Sequence, residues 1–238
     1  MGVGIAAVGM DQLIGYVTSH VGELRGNYIC VSNVHTTVMA FEDEGYRAIQ
    51  NGSAMSIPDG GPLSSVGRRR GFAGMERTTG PDLMLALFEG ARQHPLRHYF
   101  YGSSQRTLDA LSAALEADYP DVRVAGMFSP PFRELTPEED AGHVEMMNAA
   151  DPDVVWVGLG APKQERWMAA HEGRVNALMV GVGAAFDYLA GNIRRAPAWM
   201  QRANLEWAYR LMQDPRRLAG RYASTNAKFV WHAMVRGE

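Results

Sequence analysis

A handful of short stretches in this chain carry residue types and spacings from which chemistry could be built. In Gly158-Leu159-Gly160-Ala161-Pro162-Lys163-Gln164-Glu165, glycines that let backbone N–H groups approach an anion precede a lysine and a glutamine. Lys163 could meet a phosphate there and Gln164 a sugar or a base. The spacing matches neither the dinucleotide fingerprint nor the P-loop, and a plain strand-to-helix turn explains it equally well. Gly181 to Asp187 is a second glycine turn with an acid, and Asp187 reads as a base, a ribose ligand or a structural cap. Asp59, followed by Gly60 and Gly61, is placed as a general base would be, at the carboxyl end of a strand. Asp-Gly is equally ordinary turn chemistry.

Other chemistries find less support. Asp151-Pro152-Asp153 has the form of a metal-clamping Asp-x-Asp, yet it precedes a strand, on the edge opposite the expected crevice, and reads as a helix-to-strand turn. Pro95 interrupts the spacing between His94 and His98, so no histidine metal site is expected. Cys30 is the single cysteine and lies in an apolar strand. That excludes an intrachain disulfide and disfavours a thiol nucleophile. No Gly-x-Ser-x-Gly elbow is present, and no nucleic-acid-binding module is recognisable.

The candidate residues are punctuation between apolar strands and amphipathic helices. Strands are expected at Tyr28–Val31, Ala54–Ile57, His98–Tyr101, Val122–Ala125, Val154–Val157 and Ala177–Val180. Helices are expected over 36–50, after Ser104, from about Pro137, over 199–213 and from Asp214-Pro215. Strands apolar throughout and separated by helices predict an α/β fold, a mostly parallel sheet covered on both faces. The carboxyl ends of such strands line the ligand crevice.

The 238 residues are 46% hydrophobic, enough for a real core, and carry a net charge of −3. The charge is unevenly divided. Residues 194–238 hold nine Lys/Arg against three Asp/Glu, and the remainder is acidic. The chain is therefore expected to comprise an α/β domain over 1–193, which holds the candidate catalytic residues, and an arginine-rich helical appendage over 194–238. Only Lys163 and Lys228 are lysines; arginine dominance suits bidentate phosphate contacts, or reflects a GC-rich genome. No stretch is long and apolar enough to span a bilayer, and no secretory leader is visible. A cytoplasmic protein is expected.

The run Gly158 to Glu165 resembles a signature of the WecG/TagA/CpsF glycosyltransferase family. So do Val182 to Asp187, Arg195-Ala196-Pro197, Leu205-Glu206-Trp207 with Tyr209-Arg210-Leu211, and Pro215-Arg216-Arg217-Leu218. Asn33, Pro58-Asp59-Gly60 and Arg77 to Leu83 stand upstream in the expected order. The resemblance implies a Rossmann-like domain with a C-terminal helical appendage. It also implies an inverting bacterial enzyme that moves N-acetylmannosamine, its uronic acid or a related sugar. The donor would be a UDP-sugar, the acceptor a polyprenyl-diphosphate-linked saccharide, and neither a metal nor another cofactor would be needed. Asp59 maps onto the family's base. Asn33, Arg77 and Gln164 map onto further residues of the family's motifs, and Gly60, Gly160, Lys163 and Asp187 are the other candidate substrate contacts. Arg210, Arg217 and Arg221 would bear on a diphosphate. Val31 stands where some members have threonine, so a hydroxyl contact would have to come from Ser32 or elsewhere.

The expected partners are the UDP-sugar, the lipid-linked acceptor and, for the basic appendage, an anionic membrane surface on the cytoplasmic face. Homo-oligomerisation is left open. Trp207, Tyr209, Phe229 and Trp231 could reach a membrane interface or pack in the core. A UDP-sugar-binding regulatory protein without activity is the competing reading.

Overall fold

A computed structural model describes residues 1–203 and 205–236, without the side chains of residues 198, 202, 217, 221 and 234–236. Helix α1 (Met10–His20) precedes β1 (Tyr28–Ser32), α2 (Val34–Glu42), α3 (Glu44–Gly52) and β2 (Met55–Pro58). Then come α4 (Gly61–Arg69), α5 (Gly80–Glu89), β3 (Arg97–Gly102), α6 (Gln105–Asp118) and β4 (Arg123–Phe128). The second half continues with α7 (Pro137–Ala149), β5 (Val154–Gly158), α8 (Lys163–Ala170), β6 (Leu178–Gly181) and α9 (Ala185–Leu189). The C-terminal segment holds α10 (Ala198–Arg202), α11 (Glu206–Gln213) and α12 (Pro215–Phe229), followed by a π-helical turn over Val230–Arg236.

All six strands are parallel, in the order β2-β1-β6-β5-β3-β4. The α/β expectation holds, and the physical reason is visible in the strand register. Tyr28 and Cys30 face one side with Val155, Val157 and Met179, under α7 and α8. Ile29 and Val31 face the other with Phe100, Trp156 and Val180, under α1, α5 and α6. A strand buried on both faces must be apolar at every position. Burial also silences two reactive groups. The Cys30 thiol is pushed up to about 12. His98 is pushed down to about 4 and accepts, as a neutral ring, from the Trp156 indole N–H at 3.1 Å.

Two expected helices are each two. Asp43 breaks the 36–50 helix by leaving helical geometry and accepting from the Tyr46 N–H as the cap of α3. The 199–213 helix is interrupted between α10 and α11. Helices α1, α4 and α5 were not anticipated. Asp151-Pro152-Asp153 is the expected turn, at the amino ends of the strands, where Arg25 and Arg97 pair with it.

The C-terminal segment docks on the α/β body. Phe229 and Ala233 pack against Val38 of α2 and Leu63 of α4, and Lys228 forms an ion pair with Glu42. Phe229 thus belongs to the core. Trp207 and Trp231 do not: both remain substantially exposed, as do Trp199 and Met212. No helix among the described residues is long and apolar enough to cross a membrane.

Candidate active site

The carboxyl ends of β1, β2, β5 and β6 open into one cleft of about 880 Å³, closed on its far side by α11 and α12. Asp59 stands half-buried in its wall, just past the end of β2, with its N–H bonded to the Ser32 carbonyl at 2.7 Å. Gly60 follows at φ +97° and turns the chain into α4, a conformation that suits glycine. Asn33 caps α2: its side-chain oxygen accepts from the N–H groups of His35 and Thr36. That leaves its amide nitrogen 3.5 Å from the Asp59 carboxylate.

Asp59 titrates near neutrality, its pKa pushed up to about 6. Burial is the main cause, and Glu206 and Asp82 add to it. Asn33 and Arg77 oppose it. A carboxylate so poised combines ionisation at neutral pH with real basicity.

Arg77 is held by Glu206 and, at 3.5 Å, by Asp82. Arg195 is held by the same two carboxylates. The four side chains form a neutral square that ties the first turn of α5 to the start of α11. Asp82 is in place because Thr79 caps α5 and accepts from its N–H. Across the cleft, Arg210 donates to the Tyr188 hydroxyl at 2.5 Å and lies over the Tyr188 ring. Its charge has no carboxylate partner among the described residues.

Gln164 joins the two glycine turns. Its buried oxygen accepts from Gly160 N–H at 3.2 Å and Gly183 N–H at 3.0 Å, and its amide nitrogen donates to Glu165 at 2.8 Å. The Glu165 carboxyl is buried, which raises its pKa.

Asn33, Asp59, Gly60, Arg77, Gly160, Gln164 and Arg210 therefore converge on one opening. Three expected residues do not. The Ser32 hydroxyl is fully buried and donates to Gln50, because strand alternation turns Val31, not Ser32, toward the cleft. Lys163 opens α8 with its side chain in solvent, while the next residue turns inward. Asp187 accepts from Thr107 and Asn192 and so anchors α9 to its neighbours. The side chains of Arg217 and Arg221 lie outside the described residues. Sequence reasoning missed Arg69, Tyr188, Arg195 and Glu206 as cleft residues. Arg195 and Glu206 stood inside motifs already singled out; Tyr188 and Arg69 carried no signal.

Among the described residues no group of three or more His, Cys, Asp or Glu side chains is placed to hold a metal ion.

The profile of the glycosyl transferase WecG/TagA/CpsF family matches residues 1–237. Relatives include N-acetylglucosaminyldiphosphoundecaprenol N-acetyl-beta-D-mannosaminyltransferases from several bacteria. The Bacillus spizizenii protein is 28% identical over 201 residues, 84% of this chain and 76% of the relative. The Bacillus subtilis protein is 28% identical over 208 residues, 87% and 79% of the two chains. The Staphylococcus aureus (strain MW2) protein is 27% identical over 192 residues, 80% and 74%.

Proposed function

Because the chain belongs to the WecG/TagA/CpsF family of glycosyltransferases, we propose that it transfers N-acetylmannosamine, its uronic acid or a related sugar from a UDP donor to a polyprenyl-diphosphate-linked saccharide. The observation that carries this reading is Asp59: a carboxylate in the cleft wall with a pKa of about 6, in a cleft that a cationic Arg210 also lines. Asp59 takes the proton of the acceptor hydroxyl as its oxygen attacks the anomeric carbon. The bond from that carbon to the UDP β-phosphate breaks, and UDP leaves with the electron pair. A single displacement inverts the anomeric centre.

The leaving diphosphate needs positive charge. Arg210 supplies it, preoriented by Tyr188. One positioned donor to developing negative charge is worth about 3–4 kcal/mol in enzymes where it has been removed. In this reading arginines do the work of a metal, and turnover persists in a chelator. In this reading the enzyme works at the inner face of the cytoplasmic membrane, where such an acceptor resides, with the basic, partly aromatic C-terminal segment toward the lipid.

The test is UDP release across a panel of UDP-sugars, with and without a prenyl-diphosphate-linked saccharide. Release that needs both substrates supports the reading. Release without acceptor, or none with any pair, overturns it.

A further inference from the structure

Among the described residues four arginines line the cleft, and three are engaged. Arg77 and Arg195 are neutralised by Asp82 and Glu206, and Arg210, which keeps its charge, is oriented by Tyr188. Among the described residues the Arg69 side chain makes no hydrogen bond or ion pair, and it stands exposed on the cleft wall. It ends α4, the helix that begins beside Asp59. At 1.5 Å per residue its Cα lies about 12 Å along the axis from the start of that helix.

Arg68 and Arg70 flank Arg69 in the chain, and apolar residues stand close to it in sequence and along the cleft. Val66, one turn earlier, packs against the cluster that holds Phe229. Val230, the next residue after Phe229, lines the cleft and is 48% exposed. Beyond Arg69 the chain folds back, with Phe72 N–H bonded to the Gly67 carbonyl at 3.1 Å. Phe72 is left 55% exposed. An uncompensated cation with exposed hydrocarbon nearby suits an amphiphile with an anionic head and an apolar chain.

From this geometry we infer that Arg69 binds the diphosphate of the lipid-linked acceptor, with the acceptor sugar lying between it and Asp59, and with Phe72 and Val230 against the first units of the prenyl chain. The inference rests on the transferase reading above. One pyranose with its diphosphate, plus the length of an arginine side chain, spans the distance from the acid. The two diphosphates of the reaction then meet different cations: Arg210 the donor's, Arg69 the acceptor's.

The test is equilibrium binding, without membranes, of N-acetylglucosaminyl diphosphate carrying a farnesyl chain, and separately of UDP, to the wild type and to Arg69→Gln. The substitution is at an exposed position, so the fold survives it. A hydrogen-bonded charge contact is worth about 1.5–3 kcal/mol, so probe affinity falls about tenfold or more while UDP affinity is unchanged. A neutral farnesyl N-acetylglucosaminide binds both proteins equally. Equal binding of the charged probe to both proteins, or no binding to the wild type, overturns the inference. Loss of flotation with phosphatidylglycerol vesicles while probe binding persists assigns Arg69 to the membrane and also overturns it. If the probe binds through Arg69 but no sugar is transferred, the subsite stands and the transferase reading fails.

Discussion

The side-chain nitrogen of Asn33 lies 3.5 Å from a carboxylate oxygen of Asp59, because the other end of the same amide is occupied in capping α2. One residue thus starts a helix and faces the proposed base. Its donation lowers the Asp59 pKa against the larger upward push of burial. At 3.5 Å the bond is at the outer limit of useful geometry, so its influence is modest.

Asn33→Ser separates these two duties. Serine caps a helix about as well as asparagine, but it has no amide nitrogen to offer Asp59. The acid limb of kcat/KM for UDP release, which falls near pH 6 in the wild type if Asp59 is the base, moves to higher pH. Helicity and melting temperature stay close to wild type. A pH profile with an unmoved limb contradicts the assigned contact.

Glu206→Gln shifts the limb the opposite way. Glu206 raises the Asp59 pKa directly and also neutralises Arg77, which lowers it. Removing the carboxylate removes the first effect and releases the second. The limb therefore moves to lower pH. A shift upward, or none, rules out the electrostatic role given to the four-residue square.

Asp59 also lowers the stability of the fold. Its folded pKa of about 6 stands above the ordinary 3.8, so the folded state binds the proton more tightly than the unfolded chain. Ionisation then opposes folding, fully above about pH 6 and not at all well below pH 4. The difference corresponds to at most about 3 kcal/mol. Asp59→Asn is expected to raise Tm by several degrees at pH 7.5 and to lose that gain as the pH is lowered toward 4. An equal gain at both pH values contradicts the linkage.

Gln164→Ala tests whether that side chain is a staple of the fold. The substitution strips Gly160 and Gly183 of an acceptor and Glu165 of a donor. Each buried group left unsatisfied costs about 1–3 kcal/mol. Thermal melting is expected to fall by several degrees even without ligand. Loss of substrate affinity at unchanged Tm would make Gln164 a ligand contact only.

What the sequence reveals depends on how local the cause is. The parallel sheet was legible because burial on both faces demands apolar residues at every strand position, as in Val154–Val157. Asp59 could be singled out because a turn after an apolar strand sets its carboxylate at the crevice end of the sheet, although Asp-Gly is also ordinary turn chemistry. The square of Arg77, Asp82, Arg195 and Glu206 was not, since it joins residues as far apart as 77 and 206 that only the docked C-terminal segment brings together. Ser32 and Lys163 were misplaced for a rotational reason. Their neighbours Val31 and Gln164 take the inward direction, and a motif read as a string does not record which way each side chain turns.

The most direct measurement compares Asp59→Asn with wild type in UDP release from a UDP-sugar and a prenyl-diphosphate-linked saccharide, alongside UDP binding by both proteins. The expected result is a fall in turnover of about 10²–10⁴ with UDP affinity retained. Wild-type turnover from the asparagine variant would show that the carboxylate takes no proton in the reaction.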